Sequence, residues 1–183
     1  MGRLFHALVI GLVGAGIVHA LVLLLIPHVT EADVWSRLEA RAPFYEVVRI
    51  DPASGGNLLH LPDPLFEAAA CRIDLSEGIV HLIAEGDVPY WSMSIYDRMG
   101  QNIFSINDRT SSDGRLDFLV ATSAQLTELR NSPAADLDTA VFVETEVDEG
   151  IVVVRAFMPD ATFEPTVSRY LSGLNCGLRV APA

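Results

Sequence analysis

The chain has 183 residues, half of them apolar and a fifth charged, which suits one folded domain of ordinary size and argues against intrinsic disorder. It carries 24 acidic residues against 12 arginines and no lysine, for a formal net charge of −12. A surface of that sign repels phosphate backbones and anionic lipid headgroups, so nucleic acid is not an expected partner.

The charge is unevenly placed. Arg3 is the only charged side chain before Glu31, and every acid lies from Glu31 onward. Leu4 to Ile26 is a run of 23 residues without a charge. As a helix rising about 1.5 Å per residue it is long enough to cross a hydrocarbon layer about 30 Å thick. Arg3 on one side and Glu31 and Asp33 on the other place the N-terminus in the cytoplasm and the body outside it. Residues 1–27 are therefore read as an uncleaved anchor. Val18-His19-Ala20 has the small residues of a signal-peptidase site, but cleavage there would leave Leu21 to Ile26 as an apolar new terminus. Ala7, Gly11, Ala15 and His19 recur every four residues and share one face of the span, widened by Gly14 and Gly16. Small residues in that spacing let a second helix approach closely, and a polar ring on the same strip faces a partner more readily than lipid. Glycine and alanine are also simply common in such helices.

Pro27 reads as the end of the span, and Thr30 as the N-cap of a separate juxtamembrane helix within residues 28–43, closed by Pro43. The remainder, 44–183, is patterned mostly with period two. Tyr45–Ile50, Cys71–Leu75, Ile79–Glu85, Tyr90–Tyr96, Ile103–Asn107 and Arg115–Ala121 read as strands, with Asp51 to Asn57 as a loop. In Tyr90–Tyr96, Trp91, Met93 and Ile95 point one way and Ser92 and Ser94 the other. Thr122 and Gln125 form a capping pair for a short helix to Arg130. Ala140–Glu146 and Ile151–Phe157 read as a hairpin across Asp148-Glu149-Gly150. Phe163, Val167, Tyr170, Leu171 and Leu174 share a helical face, with Gly177 as the stop. Strands outnumber helices, and no strand–helix alternation announces a parallel sheet. The expected fold is mainly β (α+β): one N-terminal transmembrane helix, then an antiparallel β-sandwich-like domain with two or three short helices.

Two cysteines, Cys71 and Cys176, remain outside the span. In an oxidising compartment such a pair favours a disulfide, which would pin the C-terminal helix to the sheet; two buried thiols, or a reactive or metal-binding pair, are the alternatives. No Cys-x-x-Cys pair is present.

Asp63-Pro64-Leu65-Phe66 leading to Cys71-Arg72-Ile73-Asp74-Leu75-Ser76-Glu77-Gly78, with Tyr90 to Arg98 and Asn102 to Arg109, resembles the short membrane-anchored proteins of proteobacteria related to domain of unknown function 1254. The resemblance covers residues 60–178 and is most specific over 71–109. It implies a β-sandwich-like domain in the Gram-negative periplasm and a companion, the domain of unknown function 1214, as a neighbouring protein or a fused partner. The chain stops short of such a second domain, and the family offers no catalytic residues to carry over.

The densest polar cluster is Asp97, Arg98, Asn107, Asp108 and Arg109. It reads either as turn caps and local ion pairs or as a ligand site beside Tyr90, Trp91 and Tyr96, because arginine forks suit carboxylates and aromatic faces suit rings or acyl chains. A hairpin turning at Arg98–Gln101 would send the two Asp-Arg pairs to different ends of the ribbon. His60 and His81 are candidate ligands with Asp63 or Asp74, although isolated histidines are more often hydrogen-bonded structural residues. Asp113 to Asp117 is too short for a calcium loop. No Gly-x-Ser-x-Gly elbow is present, and no cofactor or metal is implied. The leading expectation is a non-catalytic subunit or scaffold of an envelope complex. Its partner would be a companion with the 1214-type domain, or a second copy docked through the span. A periplasmic binding protein or enzyme for a small, partly apolar ligand is the alternative.

Overall fold

The computed structural model describes residues 2–50, 63–111, 114–131 and 140–179, with the side chains of 27–33 outside the description. The expected loop at Asp51 to Asn57, His60 and Asp113 fall outside these residues.

The chain opens with α1, Gly2–Glu39, a single helix of 38 residues. Its first part, Gly2–Ile26, is the one helix among the described residues long and apolar enough to cross a membrane, as an anchor or a signal sequence does. Among the described residues its side chains are exposed. The expected break at Pro27, with a second helix from Thr30, is not found. Proline removes one N–H and therefore one hydrogen bond, but its fixed φ of about −65° is itself helical. The α1 backbone runs through this position without interruption.

Among the described residues nine strands follow: β1 (Val48–Ile50), β2 (Phe66–Asp74), β3 (Ile79–Ala84), β4 (Trp91–Asp97), β5 (Asn102–Asn107), β6 (Leu116–Ala121), β7 (Val141–Glu144), β8 (Glu149–Phe157) and β9 (Asn175–Arg179). Two shorter helices interrupt them, α2 (Ser123–Asn131) and α3 (Glu164–Ser172). β1 is shorter than the expected Tyr45–Ile50 because Tyr45 sits at φ 65°, outside the extended region.

The strands form a five-stranded antiparallel sheet, β1-β2-β8-β4-β5, and a four-stranded mixed sheet, β7-β6-β3-β9. Alternation decides which side chains face inward. Ala69, Cys71 and Ile73 of β2, Trp91, Met93 and Ile95 of β4, and Val152, Val154 and Ala156 of β8 meet Val80 and Leu82 of β3 and Leu116, Phe118 and Val120 of β6 in one core. The Trp91 and Phe118 rings meet edge to face across it, 5.8 Å apart, and Trp91 Nε1 donates to the Gly114 carbonyl at 2.7 Å. The disulfide is present: Cys71 and Cys176 are bonded, with Cα atoms 6.6 Å apart. α3 adds Val167, Tyr170 and Leu171 to the same core.

Several expectations need correction. Ala140–Glu146 and Ile151–Phe157 do not form a hairpin. β7 pairs with β6, and β8 lies in the other sheet between β2 and β4. The β6–α2–β7 unit is parallel, so strand–helix alternation does occur once. Gly150 lies inside β8 and makes no turn: a Cβ there would come within 2.8 Å of the Tyr96 carbonyl oxygen. α3 stops at Gly173, whose N–H bonds back to the Arg169 carbonyl, and Gly177 lies in β9. The disulfide therefore ties the last strand, and not the last helix, to the facing sheet. The Thr122–Gln125 capping pair forms: the Gln125 side chain accepts from Thr122 N–H at 2.9 Å, and its amide donates to the Leu75 carbonyl at 2.6 Å.

Candidate functional site

The arrangement that joins the apolar span to the folded body is built from the last turns of α1. Trp35 and Leu38 are one turn apart on the helix and rest on the outer face of the five-stranded sheet, against Ala70, Ile151, Val48, Ile50 and Val153. Arg72 projects from β2 on that same face, because its neighbours Cys71 and Ile73 point inward. It is only 5% exposed. Burying a guanidinium is costly unless its donors and its π-face are matched. Its Cζ lies 4.4 Å from the centre of the Phe44 ring and 5.3 Å from that of Trp35. One amino group donates to the Ala42 carbonyl at 3.1 Å and the other pairs with Glu39 at 3.3 Å.

Arg98 also lies over Trp35, its Cζ 5.2 Å from the ring centre, and pairs with Glu149 at 3.0 Å. The chain leaving α1 is held too. Tyr45 N–H donates to the Arg72 carbonyl at 2.9 Å, and its hydroxyl lies 2.7 Å from the Asp74 carbonyl and 2.9 Å from Glu77. Burial, then the Glu77 carboxylate, pushes the Tyr45 phenol above its ordinary range. The last turns of α1 are thus held on the sheet at Trp35, Arg72 and Phe44.

The polar cluster expected over 90–109 is divided by its own hairpin. β4 and β5 pair antiparallel with Ser92 opposite Asn107 and Tyr96 opposite Asn102. The two ends lie about 13 Å apart at ~3.3 Å per residue. Asp97 caps the turn, accepting from Met99 N–H at 2.9 Å and Gln101 N–H at 2.8 Å. Asn107 caps the opposite end, accepting from Arg109 N–H at 3.1 Å. Asp108 lies there too, close enough to Tyr170 for its charge to add to burial in raising that phenol. Trp91 is in the core. Tyr90, Tyr96 and Asn107 do share the outer face, with Tyr90 against the edge of Phe66 at 6.2 Å. Arg98 belongs instead to the α1 junction.

His81 is paired with Asp117 at 2.8 Å, on the outer face of the four-stranded sheet, and not with Asp63 or Asp74. Asp74 accepts from the Ser76 N–H and hydroxyl, and Asp63 from Leu65 N–H. Among the described residues no three His, Cys, Asp or Glu side chains gather as a metal-binding group. In the span, a Cβ added at Gly11, Gly14 or Gly16 would meet nothing within 4 Å, so no contact within the chain requires those glycines. Arg72, Phe44 and Glu39 were not singled out by the sequence. The available signal was an arginine inside the otherwise apolar run Ala68–Ile73.

The structure is a mainly β sandwich fused through a docked helix to a membrane-length apolar segment. No protein-family model matches the sequence, and no curated protein does. Its fold is similar to that of the VPA0106 protein from Vibrio parahaemolyticus, with a TM-score of 0.54 at 10% identity, covering 86% of this chain and 41% of that one. An uncharacterised protein from Burkholderia cenocepacia aligns with a TM-score of 0.46 at 14% identity, over 84% of this chain and 42% of that one. The chain spans less than half the length of either protein.

Proposed function

We propose that the protein is a single-pass envelope protein, anchored in the inner membrane with its sandwich in the periplasm, that serves as a non-catalytic subunit or scaffold of a membrane complex. The observation that carries this reading is the uninterrupted α1, whose far end is locked onto the sheet by Trp35, Leu38 and the stacked Arg72. A removable signal sequence has no need to continue into the structure of the domain, whereas an anchor that holds the domain at a set attitude to a neighbour does. The disulfide fits an oxidising compartment. The small-residue strip of Ala7, Gly11, Ala15 and His19, at whose Gly11 an added Cβ would meet nothing among the described residues, supports a second helix as neighbour: a companion subunit with the 1214-type domain, or another copy.

The test is affinity purification of the full chain in mild detergent, identifying what co-elutes, with alkaline phosphatase fused after Ala183 to report topology. An active fusion is expected, together with a stoichiometric partner or self-association lost in Gly11→Leu and kept in Leu12→Ala. An inactive phosphatase would overturn the orientation. Equal recovery of partners from both variants would reduce the span to an anchor.

A further inference from the structure

Among the described residues Arg72 is the one buried charged side chain, and it is buried where α1 meets the sheet. Its countercharge comes from across that contact: Glu39 belongs to the helix, lies 3.3 Å away and is 58% exposed. The balance of a charge on the sheet therefore depends on the helix being docked. Two features oppose docking. Trp35 Nε1 and Arg72 Nε are shielded from solvent and have no partner among the described residues, and such donors regain acceptors from water when a contact opens. Arg98 lies over the same indole ring as Arg72, so docking gathers two like charges around one side chain. Favouring docking are the apolar contacts of Trp35 and Leu38 with Ala70 and Ile151, and the Glu39 pair. Residues 40–44, between the end of α1 and Tyr45 at φ 65°, belong to neither helix nor strand.

We propose that this contact is a two-position latch: the last turns of α1 dock on the sheet or lift from it about residues 40–44 while the sandwich stays folded, and Glu39 holds the docked position. Docked, Arg72 is neutralised by Glu39 and faced by Phe44 and Trp35. Lifted, Arg72 and both orphaned donors are hydrated, and the apolar strip of Ala70, Ile151 and Val153 is uncovered. Removing the Glu39 charge alone leaves Arg72 a buried cation without a countercharge, which favours the lifted position. Replacing both charged partners by neutral groups removes that penalty. The two sheets, by contrast, meet in an apolar core crossed by the Cys71–Cys176 bond, so the latch opens without them. Because α1 is continuous from Gly2, anything that holds its apolar end differently in the two positions shifts the balance between them. The inference rests on the junction and not on the complex-subunit reading.

The test uses the full-length protein in mild detergent and measures how readily the covered face opens. Cys71 and Cys176 are bonded to each other, so an introduced cysteine is the sole free thiol. Ile151→Cys places it under the docked helix, and Val154→Cys places it between the sheets. Alkylation by iodoacetamide should be at least tenfold faster at position 151 than at 154. Glu39→Gln should speed it a further tenfold or more at 151 and leave 154 unchanged. Adding Arg72→Leu to Glu39→Gln should return the rate at 151 to the starting value or below, a rescue that general loosening would not show. Acrylamide quenching of tryptophan emission, with Ile151 and Val154 intact, should rise and fall in the same order, because Trp35 is freed while Trp91 stays in the core. Equal protection at the two positions, no acceleration in Glu39→Gln, or no restoration by Arg72→Leu would overturn the proposal.

Discussion

Breaking the Cys71–Cys176 bridge tests how the two sheets are held together. The cysteines are 105 residues apart in sequence, and closing a loop of that size removes denatured-state entropy worth about 4.7 kcal/mol. Domains are stable by about 5–15 kcal/mol, so the bridge supplies a third or more of the margin. At about 2–4 °C per kcal/mol for a domain of this size, its loss should lower the unfolding temperature by roughly 10–20 °C. The location adds a second, local signature. Among the described residues β9 is an edge strand paired with β3, and the bridge ties it covalently to the other sheet. Full-length protein in detergent should be followed by near-UV circular dichroism through thermal unfolding. The samples are oxidised wild type, wild type refolded under reductant, and Cys71→Ala/Cys176→Ala. The reduced wild type separates the entropy of the cross-link from the small void that alanines leave in the core. Amide hydrogen exchange at Asn175–Arg179 reports whether β9 frays. An unchanged unfolding temperature with faster exchange confined to β9 would refute the global entropy argument and leave the bridge a local clasp. Unchanged values in both measurements would show that packing alone holds the sandwich.

Gly150→Ala should cost about 1–3 kcal/mol by chemical denaturation, because its Cβ would meet the Tyr96 carbonyl oxygen at 2.8 Å in the middle of a sheet; a neutral result would mean that β8 and β4 are free to separate there. Tyr170 is buried, and burial followed by the Asp108 charge raises its phenol above the ordinary value near 10. The folded state therefore favours the neutral phenol: its contribution is fully present below about pH 10 and is lost as pH rises beyond it. Stability measured from pH 8 to 11 should fall at the alkaline end, and the fall should be smaller in Tyr170→Phe; identical pH profiles would contradict that reading.

What the sequence made legible was local. The alternation of Trp91, Met93 and Ile95 against Ser92 and Ser94 survives in β4 because one face of that strand is core and the other is not. Thr122 and Gln125 are three residues apart, and their reciprocal bonds need no other part of the fold. The disulfide needed only two thiols and an oxidising setting. The misreadings are where a residue's meaning comes from a distant strand. Gly150 looked like a turn because glycine usually is one, yet its reason is the carbonyl of Tyr96, more than fifty residues earlier. The parallel β7 was hidden because its partner β6 lies across α2, and no pattern within four residues of Val141–Glu144 names that partner.

The junction is the extreme case. Arg72 lies in a run of small apolar residues, and nothing within that run says that a tryptophan 37 positions earlier and a phenylalanine 28 positions earlier will close on it. Hydropathy located the span but stopped reading at Pro27, where a proline that fits a helix looks the same as one that ends it. The feature most tied to the proposed role, an apolar helix whose last turns dock on the sheet, therefore becomes visible only when a buried arginine asks what neutralises it. Following Arg72 to its partners leads to Glu39, Phe44 and Trp35, and so from the sheet back to the apolar N-terminal helix.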